Sequence, residues 1–395
     1  MQLSLRDRFT VRCLFYLLAA WTLWQVPHIA TIRFTDFDYY YSASARLHTG
    51  ENIYFDANAA ISRPEIPSWY LYPPYLAGLI YPLTILDPLP AKAVYAVIAV
   101  LMLIAIDILL VKLQRRLYPK AGMVEILIHI VVFLPYPTHL LLYSLQIEGV
   151  LLVLFLLAVL GSVRRKNRWI IGIAFSSSVL IKLWPAPYVL SLLAVWREKM
   201  ILPIMMTSLL IVVVLTPIVG VESQYYFYCY VMLPLISYAD FYIDNQSLLA
   251  CIRRLAPAFE SGYPFFRMTL LLMYLYSTYR SRNALAERHP KAIAVNASLF
   301  VAISLLVSAT TWTAAHVRLL LPLTVSACIS AEQNKNNPLL ALVTFVSFAL
   351  YCYPQSWGAE FIPFLFVRDY PLLIVCFLQC GVMYYFSRKY FNECG

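Results

Sequence analysis

Charged residues are scarce in this chain of 395 residues: they make up 13% of it, whereas hydrophobic residues make up 62%. A soluble domain carries about 25% charged residues, so the composition excludes an ordinary soluble protein. Glycine is also rare, with 11 residues, and no glycine-rich loop of the kind that holds nucleotide phosphates is present. Because no polar stretch is long enough to form a separate soluble domain, we expect no nucleotide cofactor and no nucleotide-sugar donor.

Long apolar runs are abundant. Residues 13–32, 93–111, 200–220 and 292–315 have almost no charge, and roughly 17 to 25 apolar residues suffice to cross the hydrocarbon core of a bilayer. The first run is not followed by a small-residue cleavage site before Arg33, so we interpret it as a retained anchor. The sequence therefore predicts an all-α polytopic membrane protein, a single domain over residues 1–395 with about 10 to 12 membrane segments.

Basic residues give the chain a net charge of +10, but they lie in short segments between the apolar runs. This distribution is the positive-inside pattern of a membrane protein, so nucleic acid is not expected as a partner. It predicts that both termini and residues 112–120, 164–168 and 282–291 are cytoplasmic. Residues 33–91 and 221–263 then form two large loops on the external or periplasmic face of the plasma membrane, where any reaction centre should lie.

Two segments fit poorly as full crossings. Residues 70–90 are interrupted by several prolines and leave an apolar core that is too short, so we expect an interfacial or re-entrant helix. Residues 169–196 lie between two basic clusters and contain "VLIKLWPAPYVL" at their centre. They predict two short, broken helices with Lys182 at the apex, a form that is tolerated where the backbone lines a cavity.

Two carboxylates, Asp36 and Asp38, follow the first apolar run and stand beside Tyr39, Tyr40 and Tyr41. Aromatic rings stack on sugars, and a shielded carboxylate has a raised pKa and can accept a proton from a sugar hydroxyl. The alternatives are a solvated loop and interfacial anchoring of the tyrosines. The residues alone do not choose between Asp36 and Asp38.

Further polar residues stand at the ends or breaks of apolar runs. Lys182 is isolated in an apolar segment, and His316 and Arg318 begin a helix, where an anion is readily bound. For all three the alternative is snorkelling to the interface. Asn245 and Gln246 precede an amphipathic segment and could simply cap an interfacial helix, and Glu148 could be a favourable partner of a helix dipole.

The ordered set of motifs resembles glycosyltransferase family 87. The matching stretches are "DFDYYYSASARLHTGENIYFD", "YLYPPYLAGLIYPL", "SLQIEGVLLVLFLLA", "LIKLWPAPYVL", "NQSLLACIRRL" and "HVRLLLPL". One departure concerns Glu148, which replaces the neutral amide that usually follows the Gln146 position.

The resemblance implies a GT-C fold and a membrane enzyme that takes mannose or another hexose or pentose from a polyprenyl-phosphate donor. The acceptor would be a glycan or glycolipid, and transfer would proceed with inversion. We expect no cofactor and identify no metal-binding residues. Asp36, which heads the motif, is the expected catalytic base. Lys182, His316 and Arg318 are expected to bind the donor phosphate, and the expected substrate-binding residues are Asp38, Tyr40, Tyr72, Gln146, Glu148, Asn245 and Gln246. The alternatives are a transporter or flippase for a lipid-linked sugar, and an O-antigen-type polymerase.

Overall fold

A computed structural model describes residues 5–55, 70–119, 121–164, 167–232, 234, 245–309, 311–333, 337–353 and 370–393. This part of the chain is helical and contains no β-strand. Residues 56–69 and 235–244, which belong to the two predicted external loops, lie outside the described residues. The helices are α1 Leu5–Trp24, α2 Val26–Thr31, α3 Asp36–Thr49, α4 Pro74–Ile80, α5 Pro88–Leu117, α6 Val124–Phe133, α7 Tyr136–Tyr143, α8 Glu148–Val163, α9 Arg168–Ile181, α10 Ala186–Val219, α11 Val221–Tyr226, α12 Leu248–Leu255, α13 Tyr263–Arg280, α14 Arg282–Ala286, α15 Pro290–Val307, α16 Leu320–Gln333, α17 Pro338–Tyr351 and α18 Pro371–Glu393.

Six stretches of the described chain are long and apolar enough to cross a membrane. A seventh crossing results if α6 and α7 are counted as one bent span, and five shorter apolar helices accompany them. Backbone polar groups in hydrocarbon must be satisfied within the chain, which is why apolar segments of this length form helices. The prediction of an all-α polytopic membrane protein is confirmed. The six stretches are Phe9–Thr31, Pro88–Leu117, Met200–Val219, Pro290–Val307, Thr313–Gln333 and Pro371–Arg388.

Two helical stretches of the described chain are bent. The segment 124–143 is divided into α6 and α7, which meet at 42°. Pro135 and Pro137 lie at the join, and each lacks the N–H that would continue the helix. We expected a basic stretch at residues 197–199 to separate the segment 169–196 from the apolar run 200–220. Helix α10 instead continues through this stretch, with a kink at Trp196, where φ is −105° and ψ is 21°.

The two irregular segments are helical but short. Helix α4 is followed by a 3₁₀ turn over Tyr81–Ile85, and together they extend only about 20 Å at helical rise, which is less than a bilayer core. Helix α9 and the first part of α10 form the predicted pair of short helices, and Lys182 lies at the break between them. Gly172 allows α9 to approach the second part of α10, because a Cβ atom at Gly172 would come within 2.9 Å of Pro203.

The core of the molecule is arranged around α15, whose residues Ala292–Leu306 are all buried. Phe300 on this helix contacts Trp184 and Tyr188 of the α9–α10 turn region, with ring centroids 5.9 and 5.3 Å apart. Phe155 of α8 closes the group at 5.3 Å from Trp184. We call these four residues the aromatic platform. It fixes the Lys182 turn against α8 and α15.

Candidate active site

Helix α3 begins at Asp36 and places its first two carboxylates on different partners. The Asp38 carboxylate accepts hydrogen bonds from the backbone N–H of Thr35 at 2.6 Å and from its hydroxyl at 3.0 Å. The ammonium of Lys92, on α5, donates to both Asp38 oxygens, at 2.9 and 3.0 Å. Asp38 therefore stabilises the start of α3 and ties it to α5, whereas Asp36 points elsewhere.

Asp36 is joined to the turn between α7 and α8. Its backbone N–H donates to the carbonyl of Ser144 at 2.8 Å, and its carboxyl accepts a hydrogen bond from the side chain of Gln146. Two left-handed residues accompany this contact: Phe34 has φ of 59° and Leu145 has φ of 52°. Non-glycine residues rarely adopt this conformation, which costs free energy and is concentrated at functional sites. The strained backbone directs Asp36 and Gln146 towards each other.

Burial raises the pKa of the Asp36 carboxyl to about 6. The positive charge of Lys182 and the hydrogen bond from Gln146 act in the opposite direction, because both favour the charged form. The side chain nevertheless keeps partial access to solvent. Asp36 is thus a carboxyl group that changes its charge close to neutral pH, as a general base should.

Three charged side chains from distant parts of the chain meet beside Asp36. Glu148, the first residue of α8, is fully buried. Arg318 donates to both of its oxygens, from Nε at 2.8 Å and from Nη2 at 2.5 Å, and Lys182 donates to Oε1 at 2.6 Å. The guanidinium of Arg318 also lies 4.3 Å from the Trp184 ring of the aromatic platform. This bidentate, stacked geometry uses the planar form of arginine.

Tyr40 and Tyr72 lie near Asp36, and Tyr72 also lies near Lys182. The Tyr40 hydroxyl donates to the Tyr72 hydroxyl at 3.1 Å and accepts from the backbone N–H of Ile147 at 3.4 Å. The Lys182 ammonium is 5.0 Å from the centroid of the Tyr72 ring. These contacts place an aromatic ring close to the ammonium group and within electrostatic range of the Asp36 carboxyl, and such a ring is a suitable surface for a sugar.

His316 and Arg318 belong to a 3₁₀ segment, Thr313–Leu319. His316 is fully buried, with Nδ1 3.2 Å from the Trp312 carbonyl oxygen and Nε2 without a hydrogen-bond partner. Its ring lies within electrostatic range of Arg318 and Glu148 but is not bonded to either. His316 is therefore a neighbour of the charged group and presents one unsatisfied nitrogen.

Asn245 and Gln246 support this segment from outside the charged group. The Asn245 side-chain oxygen accepts hydrogen bonds from the backbone N–H groups of Thr311 and Ser247, at 2.9 and 3.1 Å. The Gln246 backbone N–H donates to the Thr311 carbonyl at 2.8 Å. The two residues hold the chain that leads into the His316 and Arg318 turn.

The structure thus brings together seven of the predicted site residues: Asp36, Tyr40, Tyr72, Gln146, Glu148, Lys182 and Arg318. Sequence reasoning missed Lys92, which is buried although charged, and Trp184. Lys92 carried the same signal as Lys182, a lone lysine within an apolar helix. Trp184 had no distinctive signal, because its contact partner Arg318 is far away in sequence.

Among the described residues no group of three His, Cys, Asp or Glu side chains is placed to hold a metal ion.

Comparison with known proteins gives one match. No curated protein and no solved structure matches the chain. The model of glycosyltransferase family 87 matches residues 70–354, more than half of the chain. The match contains Tyr72, Gln146, Glu148, Lys182 and Arg318, whereas Asp36 precedes it. The chain belongs to glycosyltransferase family 87.

Proposed function

We propose that this membrane glycosyltransferase takes its sugar from a polyprenyl-phosphate donor and transfers it, with inversion, to a hydroxyl group of a glycan or glycolipid. Asp36 is the general base. The observation that supports this most strongly is the difference between the carboxylates: Asp38 is paired with Lys92 and Glu148 with two cations, whereas Asp36 is bonded to the neutral Gln146. Of the three, Asp36 is the one that forms no ion pair with a described residue, and we therefore assign it as the base.

In this mechanism the Asp36 carboxylate removes the proton from the acceptor hydroxyl as its oxygen attacks the anomeric carbon. The bond from that carbon to the phosphate oxygen breaks on the opposite face, and its electron pair leaves with the phosphate. The leaving phosphate is ionised and needs stabilisation of negative charge more than protonation. Lys182 and Arg318 provide the positive charge, and the Tyr72 ring lies beside Lys182.

We propose further that this site faces the external or periplasmic side of the plasma membrane, and that both termini are cytoplasmic. The distribution of basic residues along the chain supports this orientation. The tail of the donor would then lie among the membrane helices while its phosphate meets Lys182, which is 32% exposed.

The test is to assay purified Asp36→Asn in lipid with a panel of polyprenyl-phosphate sugars that carry a radiolabel on the sugar. One donor of the panel should be consumed by the wild-type enzyme, and turnover should fall in the variant while donor binding is retained. Full movement of intact donor across the bilayer by Asp36→Asn, with no transfer by the wild-type enzyme, would instead favour a flippase. Consumption of a nucleotide sugar by the wild-type enzyme would refute the proposed donor.

A further inference from the structure

Glu148 is the most deeply buried acid of the site and the centre of its charged group. Its side chain is 0% exposed, against 5% for Arg318 and 32% for Lys182. Both of its oxygens accept hydrogen bonds from cations. As the first residue of α8 it is attached to a helix whose residues Leu151, Leu152 and Phe155 are buried in the core. The carboxylate is therefore fixed in place, and Lys182 forms the accessible side of the group.

Lys182, Arg318 and Glu148, which are joined by hydrogen bonds, together carry one net positive charge, because the two cations contribute two and Glu148 removes one. Asp36 lies beside this group and adds a negative charge only while its carboxyl is ionised. His316, the remaining titratable neighbour on the 3₁₀ segment, keeps an unpartnered Nε2 and no ion pair. Charges interact strongly in a poorly solvated site, so a ligand whose charge balances the group is favoured over one that leaves charge uncompensated.

We propose that Glu148 is a specificity-determining residue, an internal counter-ion that sets the positive charge offered to the lipid donor at one. A sugar linked to a lipid through a single phosphate is a phosphodiester with one negative charge, which balances the group. A sugar linked through a diphosphate carries two, and the second remains uncompensated. The inference rests on the proposed function and deepens it, since it assigns the discrimination between the two donor classes to one side chain.

Arg318 is the less accessible of the two cations. Its Nε and Nη2 donate to Glu148 and its guanidinium lies over the Trp184 ring, so it adds to the positive charge of the group from the buried side. Lys182 has one bond to Glu148 and a partly exposed ammonium, so it can donate to one phosphoryl group of a ligand. The positive charge available to bind the donor phosphate is thus the charge of Lys182 and Arg318 that Glu148 does not neutralise.

The experiment measures binding rather than transfer. The first probe is farnesyl methyl phosphate, a phosphodiester with one negative charge. The second is farnesyl diphosphate with a methyl ester on its terminal phosphate, which carries two negative charges. Dissociation constants for both are measured by microscale thermophoresis on the detergent-purified full chain at pH 5, where the Asp36 carboxyl is mostly protonated and Lys182, Arg318 and Glu148 set the charge of the site. The compared quantity is the ratio of the Kd of the diphosphate ester to the Kd of the diester, which cancels changes in overall affinity and in the contribution of the lipid tail.

Wild-type protein should prefer the diester. Glu148→Gln should lower the Kd ratio by about tenfold or more, because one unit charge a few ångströms away in a partly buried site is worth at least that factor. Lys182→Gln, which lowers the net charge of the group to zero, should raise the ratio. The double variant Glu148→Gln/Lys182→Gln restores a net charge of one and should return the ratio towards the wild-type value.

The matched control is Glu260→Gln, which also removes an acid from an ion pair, here with Arg253 at 2.8 Å, and should leave the ratio unchanged. An unchanged ratio in Glu148→Gln overturns the inference. If that variant does not fold, a ratio that stays constant or falls in Lys182→Gln overturns it. If wild-type protein binds neither probe, the proposed donor fails as well. Binding of the diester with a ratio that does not follow the charge refutes the inference alone.

Discussion

The backbone N–H of Asp36 donates to the carbonyl oxygen of Ser144 at 2.8 Å, so helix α3 begins directly on the turn that precedes helix α8. This contact joins the segment that carries the proposed base to the segment that carries Gln146 and Glu148. The base and the charged group are consequently positioned by one backbone hydrogen bond and by the Tyr40 hydroxyl, and not by long-range packing alone.

Asp36→Asn and Asp38→Asn should have different effects. A positioned base contributes about 10² to 10⁴-fold to the rate, so Asp36→Asn should lose turnover by that factor while it remains folded. Asp38→Asn should keep most turnover per folded molecule and lose about 1 kcal/mol of stability, because it weakens a helix start and the contact with Lys92. Parallel assays with a radiolabelled lipid-linked sugar and thermal unfolding measure both effects. A larger loss of turnover in Asp38→Asn would identify that residue as the base.

The pH profile of wild-type kcat/KM should show an acidic limb near pH 6, where the Asp36 carboxyl becomes charged. Gln146→Leu removes a hydrogen bond to the charged form, so the pKa of Asp36 should rise and the limb should move to higher pH. Gln224→Leu removes a glutamine whose partners are Tyr75 and Thr216, and serves as the control with an unshifted limb. A limb that stays in place in Gln146→Leu would remove Asp36 from the rate-determining ionisation.

Thermal stability should also report on Asp36. The pKa of its carboxyl rises from the ordinary value of 3.8 to about 6 in the folded protein. The protonated carboxyl therefore favours the folded state. This contribution to stability is fully present below pH 3.8 and is lost as the pH rises through about 6. Asp36→Asn cannot ionise. Its melting temperature should therefore exceed that of the wild type at pH 8 but not at pH 4. A variant that is less stable than the wild type at pH 8 would show that the charged carboxylate is well stabilised by its surroundings.

The two cations should differ in what their removal costs. Arg318→Ala leaves Glu148 buried with one partner, which should destabilise the protein by about 3 to 5 kcal/mol. Lys182→Ala should cost less stability, because the ammonium is partly exposed. Each variant should weaken donor binding by about 2 to 5 kcal/mol if the side chain meets a desolvated phosphate. Unfolding and donor titration separate the two effects.

Lys291→Ala is the control for the cation variants, because its pair with Glu332 lies on the surface and such pairs contribute about 0 to 1 kcal/mol. Unchanged donor affinity in both Lys182→Ala and Arg318→Ala would remove the two residues from the phosphate site.

Membrane topology can be tested with cysteine labelling. Glu51→Cys, in the predicted external loop, should react with a membrane-impermeant maleimide added outside intact cells. Asn283→Cys, in the predicted cytoplasmic segment, should react only after permeabilisation. Both positions are exposed, and the exposed Cys229 and Cys352 are first replaced by serine. Labelling of Glu51→Cys only from the cytoplasm would invert the proposed orientation.

The broad fold was predictable because each crossing is a local property of about 20 apolar residues. The interruption near Lys182 was predictable for the same reason, since lysine and proline within an apolar run are visible in the sequence. The bend at Pro135 was not predictable, because the apolar residues on both sides of it have the hydropathy of one continuous span. Hydropathy cannot distinguish a straight crossing from a bent one.

The charged group was predictable only in part. The sequence indicates Lys182 and Arg318 as cations in apolar surroundings, but it predicts Glu148 as a substrate-binding residue or a helix-dipole partner, and not as the partner of both cations. A bond between residues 170 positions apart has no local signal. The role of Asn245 in holding the Thr311 segment was likewise beyond prediction, because a buried amide that supports a loop has the same local sequence as one that binds substrate.

The wide spacing of the charged group has a consequence for biosynthesis. Glu148 is synthesised 170 residues before Arg318, which corresponds to roughly 10 to 30 s at ordinary rates of translation. During that interval Lys182, 34 residues further along the chain, can already pair with it. The ion pair between Glu148 and Lys182 would then neutralise the carboxylate while the first helices insert into the membrane, before Arg318 has been synthesised. Lys182→Ala should accordingly lower the yield of inserted protein more than its effect on the stability of the finished molecule accounts for.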